Sequence, residues 1–148
     1  MFEHDKLAEV VLESCEVTFE EMLFYEVLMA ENQSYSAIED AIVYTIEVET
    51  PVHYRLCLIM PKDMVSEMAD MLYAGAMEIT DDILIDFVAE LLNTFTGRIV
   101  SGLFPDEQDI FLSIPEHHEA MPFDLEKSHL VVLEVDDSKL YVMATEEL

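Results

Sequence analysis

Apolar residues recur at steps of three and four along three stretches of the chain, the pattern of amphipathic helices. The first stretch covers residues 3–29, with acidic side chains on its opposite side, and a shorter one covers 62–74. The third begins after Thr80, a favourable N-cap, and runs to about Ser101. The sequence therefore predicts two long helices and a short one. In the short helix, the residues expected to point inward are Met64, Met68, Met71 and Leu72.

Other segments alternate between apolar and polar residues, or form short apolar runs rich in β-branched and aromatic side chains. Both patterns are typical of β-strands. The predicted strands are 41–49, 54–60 and 109–114, followed by a hairpin of 129–135 and 139–144. A polar break at residues 31–36 separates the first helix from the first strand. We therefore predict an α+β fold, an antiparallel β-sheet packed against two long helices, in a single domain of residues 1–148.

The helix after Thr80 carries polar side chains directly opposite its predicted core face. On a helical wheel with about 100° per residue, four residues fall inside an arc of roughly 60° that points away from the core. We call this arc the polar stripe; it consists of Asp86, Glu90, Asn93 and Gly97. The predicted core face consists of Leu84, Val88, Leu91, Phe95, Ile99 and Gly102.

The composition of the polar stripe is unusual for a solvated helix surface. Asn93 and Gly97 both lower helix stability relative to Ala, the Gly by about 1 kcal/mol. Ile83 and Phe87 flank the stripe on one edge, where solvated residues are expected. These features predict a surface that another protein covers, with Ile83, Asp86 and Gly97 as contact residues. The alternative is an ordinary acidic helix face, because an E-x-x-N tetrapeptide is common by chance.

The charge of the chain restricts its partners. It contains 33 acidic and 6 basic residues, for a formal net charge of −27. Nucleic acid and anionic membrane are therefore poor partners, since their phosphates would meet carboxylates. Residues 1–5 have neither the basic nor the apolar part of a secretion signal, and no run approaches the ~20 apolar residues of a membrane span. We expect a cytoplasmic protein.

The cysteines and histidines give no strong indication of a site. Cys15 and Cys57 are far apart in apolar patterns, which favours two buried free thiols over a disulfide. The pair at 117–118 has acidic neighbours, but without a third spaced ligand we interpret it as part of a surface loop. The other histidines, His4, His53 and His129, are scattered, and we expect no metal site.

The residues of the polar stripe resemble the signature of the CheC/CheX/FliY family of chemotaxis phosphatases. That signature has an acid or Ser, then Glu and Asn on one helix, and a later Pro. Here Asp86, Glu90 and Asn93 occupy those positions, and Pro115 follows Asn93 by 22 positions, one short of the family spacing. Residues 16–23 resemble the first helix of the CheX branch.

The resemblance implies a fold, an activity and a partner. Residues 54–72 are similar to the family's strand-to-helix segment, and the first helix lacks a second motif because Leu12 stands where Asn would be. This is the pattern of CheX, which usually forms a homodimer. The implied activity is hydrolysis of the phosphoaspartate of a CheY-like receiver domain in a two-component pathway. Asn93 would orient the attacking water, Glu90 would pair with a receiver Lys, and Mg²⁺ would be bound by the receiver rather than by this chain.

A second hypothesis is a non-catalytic adaptor that binds a receiver through the same surface. The missing second motif, the shifted Pro115 and the acidic charge favour it. A purely structural subunit is a third alternative. The Glu90 and Asn93 pair favours the enzyme.

Overall fold

The computed structural model describes residues 4–23, 25–50, 53–73, 75–76, 78–106, 109–120 and 127–146. The helices in these ranges are α1 (His4–Leu23), α2 (Lys62–Tyr73) and α3 (Asp81–Leu103). The strands are β1 (Val27–Met29), β2 (Ala41–Thr50), β3 (Tyr54–Pro61), β4 (Phe111–Leu112), β5 (Glu116–His118), β6 (His129–Val135) and β7 (Ser138–Glu146).

The strands form one antiparallel sheet in the order β1-β6-β7-β3-β2-β4, and β5 also pairs with β2. The two central hairpins follow from sequence. The turn between β6 and β7 places Asp136 at a positive φ of 54°, a conformation that Asp tolerates well. β3 lies between β2 and β7, where its continuous apolar run is buried on both faces.

Alternate residues of the four long strands, β2, β3, β6 and β7, enter two separate cores. On one face, Ile42, Tyr44, Ile46 and Val48 of β2 pack with apolar residues of all three helices, as the alternation predicts. On the other face, a smaller cluster includes Val43 of β2. The α+β fold with an antiparallel sheet packed on long helices is thus confirmed, and α2 is a third, shorter helix on the same face.

The polar break predicted at 31–36 covers the second face of the sheet. The Gln33 side chain replaces a strand neighbour for Val132, donating to its carbonyl at 2.9 Å and accepting from its N–H at 2.9 Å. The Tyr35 ring lies 5.0 Å from the Tyr141 ring, and Tyr35 and Ile38 pack against the smaller core. The sequence pattern did not predict that residues 31–36 pack on the sheet, because few of their side chains are apolar.

The predicted end of the first helix was wrong. α1 ends at Leu23, and residues 27–29 form strand β1 at the edge of the sheet. Val27 pairs with Val135, and Ala30 donates its N–H to Val132 at 3.1 Å. The apolar spacing of the first helix continues through Val27 by coincidence. Backbone hydrogen bonds to β6 make this segment a strand instead.

Two further details differ from the sequence prediction. Met71 and Leu72 of α2 are 49% and 40% exposed, because the buried side of the helix is centred on Val65 and Ala69 instead. The strand predicted at 109–114 shortens to β4. A register shift in β2 disrupts its pairing, and Pro115 cannot donate to the ladder.

Candidate functional site

The polar stripe lies on α3, and the start of this helix is fixed by its sequence. The Thr80 hydroxyl accepts a hydrogen bond from the Ile83 N–H at 3.4 Å, as predicted for an N-cap. Asp81 and Asp82 occupy the first turn, where negative charge interacts favourably with the helix dipole. Lys62 pairs with Asp81 at 3.0 Å. The helix is therefore anchored about one turn before the stripe begins.

The buried face of α3 is broader than the wheel predicts. Of the expected core face, every residue except Gly102 is buried. Phe87 is also buried, at 1% exposure, so its assignment to an exposed edge of the stripe was wrong. The reason is that α1 and the sheet pack on two sides of α3, so side chains on the flanks are covered as well. Ile83, on the same edge, is half-buried.

The stripe itself remains open to solvent. Asp86, Glu90 and Asn93 are exposed, and Gly97 is half-buried with no atom within 4 Å of the position that a Cβ would occupy. Within the described residues, the side chains of Glu90 and Asn93 form no hydrogen bond or ion pair. The backbone carbonyl of Glu90 does accept from the Thr94 hydroxyl at 2.9 Å. One carboxylate and one carboxamide therefore lie side by side with no partner in the described part of the chain.

The Asp86 end of the stripe approaches the edge of the sheet. Burial, and secondly the Asp86 carboxylate, raises the pKa of the Tyr44 phenol above its ordinary value. The Tyr44 ring lies 5.3 Å from the ring of His117 in β5. Pro115 directly precedes β5, and β5 contacts α3. The fold thus brings the segment after Pro115 towards the helix that carries Glu90 and Asn93.

The histidines at 117–118 form part of β5 rather than the surface loop that we expected. His118 Nε2 lies 2.8 Å from the Thr45 hydroxyl, and backbone pairing with β2 holds the segment in place. Three residues are too few to produce a detectable alternation, so this strand could not be predicted from the sequence pattern. Across the described ranges, no group of three or more His, Cys, Asp and Glu is arranged to hold a metal ion.

Two cationic side chains, Lys62 and Arg98, lie beyond the two ends of the stripe. Lys62 pairs with Asp81 before it, and Arg98 Nη2 donates to Glu21 of α1 at 3.1 Å after it. Their side chains are 42% and 36% exposed. The acidic residues of the stripe thus lie between two partly accessible positive charges.

No helix in the described part of the chain is both long enough and apolar enough to cross a bilayer.

Comparison with known proteins identifies the family. Residues 42–136, well over half of the chain and including all of α3, match the family model described as "Chemotaxis phosphatase CheX". No curated protein matches the sequence significantly.

Solved structures described as CheX or CheC-like proteins share the fold at low sequence identity. The chemotaxis protein CheX from Vibrio vulnificus is 13% identical with a TM-score of 0.74, over 96% of this chain and 99% of that one. A CheC-like superfamily protein from Shewanella sp. PV-4 is 15% identical with a TM-score of 0.68, over 97% and 98% of the two chains. A chain from the CheX–CheY–BeF3–Mg²⁺ complex of Borrelia burgdorferi is 16% identical with a TM-score of 0.70, over 95% and 97%. With this fold and the match over residues 42–136, the chain belongs to the chemotaxis phosphatase CheX family.

Proposed function

We propose that this protein accelerates hydrolysis of the phosphoaspartate of a CheY-like receiver domain. Asn93 orients the attacking water, and Glu90 pairs with a Lys of the receiver. The observation that carries the proposal is the exposure of both side chains, side by side on α3 and without a partner among the described residues.

The chemistry suits these two residues. Phosphoryl transfer depends mainly on positioning and on stabilising charge, and GTPases use a Gln amide to orient the water. The Asn93 carboxamide can accept a hydrogen bond from water while it donates one to a phosphoryl oxygen. A carboxylate in its place would be repelled by those oxygens. The i, i+3 spacing puts Glu90 beside Asn93, so that Glu90 can pair with the receiver Lys while Asn93 orients the water.

The Borrelia burgdorferi relative supports the choice of partner. That structure is a complex of CheX with CheY, BeF3 and Mg²⁺, and BeF3⁻ resembles a phosphoryl group in shape and charge. For the present chain we propose the same class of partner, with Mg²⁺ bound by the receiver and no cofactor bound by the phosphatase at this site.

The residues around Glu90 and Asn93 are compatible with a receiver that covers the polar stripe. We propose that Ile83, Asp86 and Gly97 contact the receiver; the open space above Gly97 lets a partner backbone approach. Lys62 and Arg98 lie near the two ends of this surface and can offset the repulsion between an acidic receiver and a chain of charge −27.

The experiment measures phosphate release from CheY-like receivers charged with acetyl phosphate. Wild-type protein should speed release, and Asn93→Ala should reduce the acceleration on the order of 100-fold, since the water loses its positioning group. Ser101→Ala is the matched control, an exposed position on α3 outside the stripe, and should behave as wild type.

A binding assay with BeF3⁻-treated receiver, run beside the phosphate-release assay, separates the two hypotheses. Both hypotheses predict that Asn93→Ala still binds the receiver and that Glu90→Lys does not. If wild type binds the BeF3⁻-treated receiver but does not speed phosphate release from the phosphorylated receiver, the protein is an adaptor on a phosphatase fold. Ordinary turnover by Asn93→Ala would exclude the role assigned to Asn93.

We also propose a single-domain homodimer in the cytoplasm. The family likeness supports the dimer, as do sheet edges formed by short strands such as β1, where Leu28 is 54% exposed. Light scattering at micromolar concentration tests the oligomeric state.

A further inference from the structure

Two histidines that are 125 positions apart in sequence meet at the first turn of α1. His4 begins that helix and His129 begins β6. Their Nδ1 atoms are 3.4 Å apart, their ring centroids are 5.5 Å apart, and the rings are inclined by 30°. His4 is exposed and His129 is half-buried, so solutes can reach the pair from one side.

The separation of the two nitrogens matches the requirement of a tetrahedral metal. Zn²⁺ binds imidazole nitrogen at about 2.0–2.1 Å, which places two ligands of a tetrahedron about 3.3–3.4 Å apart. An N–H···N hydrogen bond can also form in the metal-free pair, and 3.4 Å is long for such a bond.

We propose that His4 and His129 form a binding site for Zn²⁺ or a similar late divalent metal, through their two Nδ1 atoms. Such metals prefer imidazole ligands, whereas Mg²⁺ and Ca²⁺ prefer oxygen. No third protein ligand is arranged nearby within the described residues, so water completes the coordination. The site is therefore open and exchangeable, and it is separate from the phosphatase site proposed on α3.

The charge of the molecule favours this site. A net charge of −27 raises the concentration of divalent cations at the surface. Asp5, next to His4 in the first turn, offsets the positive end of the α1 dipole.

The bound ion would join α1 to β6. These elements already contact each other, and an ion held by both histidines binds the folded chain, where the pair exists, better than the unfolded one. Binding should therefore stabilise the fold by mass action.

The test is a zinc titration of the full chain, in competition with a chromogenic zinc chelator. Wild type should bind one equivalent, and His4→Ala and His129→Gln should each bind at least tenfold more weakly. His53→Ala is the control, because His53 is a surface histidine beside a carboxylate, 3.9 Å from Glu47, and its loss should change nothing.

Thermal melting in the same samples controls for folding. Zinc should raise the Tm of wild type and His53→Ala but not that of the two pair variants, whose metal-free Tm values report any damage to the fold. Nitrogen-15 NMR should place the zinc-dependent shift on Nδ1 of the two histidines. If wild type binds no zinc, or if the pair variants bind as tightly as wild type, the pair is a hydrogen bond only and the proposal is overturned.

Discussion

At the scale of the residue, the polar stripe contains side chains that the fold itself does not need. Asn93 makes no hydrogen bond within the described residues, yet it lowers helix stability relative to Ala. Gly97 also lowers helix stability relative to Ala, and no described atom lies within 4 Å of the position that its Cβ would occupy, so packing does not require a glycine there. Residues that weaken a helix without packing against the rest of the chain point to an external contact.

The two glycines of α3 provide a matched comparison. Gly97→Ala should raise the free energy of unfolding by about 0.5–1 kcal/mol, because Ala restricts the unfolded chain and its Cβ meets no atom within 4 Å. In Gly102→Ala the new Cβ would lie 2.7 Å from Val10 Cγ1 of α1, so the gain should vanish or reverse. Urea denaturation measures both, and equal effects would contradict the packing described here.

The same Gly97→Ala protein also tests the proposed contact surface. It should bind the BeF3⁻-treated receiver more weakly than wild type although it is more stable. Unchanged binding would remove Gly97 from the interface.

At the scale of the element, one side chain, that of the N-cap Thr80, defines where α3 begins. Thr80 satisfies the Ile83 N–H, which otherwise has no partner within the helix. The neighbouring Lys62–Asp81 pair is substantially exposed, so it contributes little. The cap therefore dominates the local stability at this end.

We expect Thr80→Ala to lower the free energy of unfolding by about 1 kcal/mol. Thr80→Ser should retain most of the stabilisation by the cap, because the Ser hydroxyl supplies the same acceptor. Amide hydrogen exchange should accelerate first in the opening turn of α3. A stability equal to wild type in Thr80→Ala would show that other contacts hold this terminus.

At the scale of the whole molecule, the sheet separates two cores, and each contains one thiol. Cys15 lies in the helix-side core and Cys57 in the smaller core opposite, both as free cysteines, as the sequence predicts. Burial raises the pKa of each thiol from an ordinary 9.0 to about 12; for Cys15 the nearby Glu16 adds to the effect, and for Cys57 the positive charge of Arg55 opposes it. Burial also raises the pKa of the Tyr54 phenol.

These shifts predict a loss of stability at alkaline pH. Between pH 9.0 and about 12 the unfolded chain releases thiol protons that the folded chain retains, so stability is full below pH 9.0 and falls as pH rises. Each thiol contributes a slope of up to about 1.4 kcal/mol per pH unit. Urea denaturation across this range measures the slope, which should be shallower in Cys57→Ala; a slope unchanged by that substitution would contradict the assignment.

Periodicity in the sequence was sufficient for most elements and for the polar stripe. The apolar positions of β2 and α3 are buried, and the Thr80 cap is present, because these features depend on neighbours only a few residues away. The exposure of Glu90 and Asn93 follows from the same local geometry, since it requires only that the opposite face be buried.

Tertiary structure decided whatever depends on residues distant in sequence. Pairing with β6 made residues 27–29 a strand, and packing of α1 and the sheet on both sides of α3 buried Phe87. The fold also brought His4 within 3.4 Å of His129, although nothing in the spacing of the five histidines suggested it. Helical and strand periods describe only local geometry, whereas these contacts depend on how the sheet orders its strands and where the helices lie upon it.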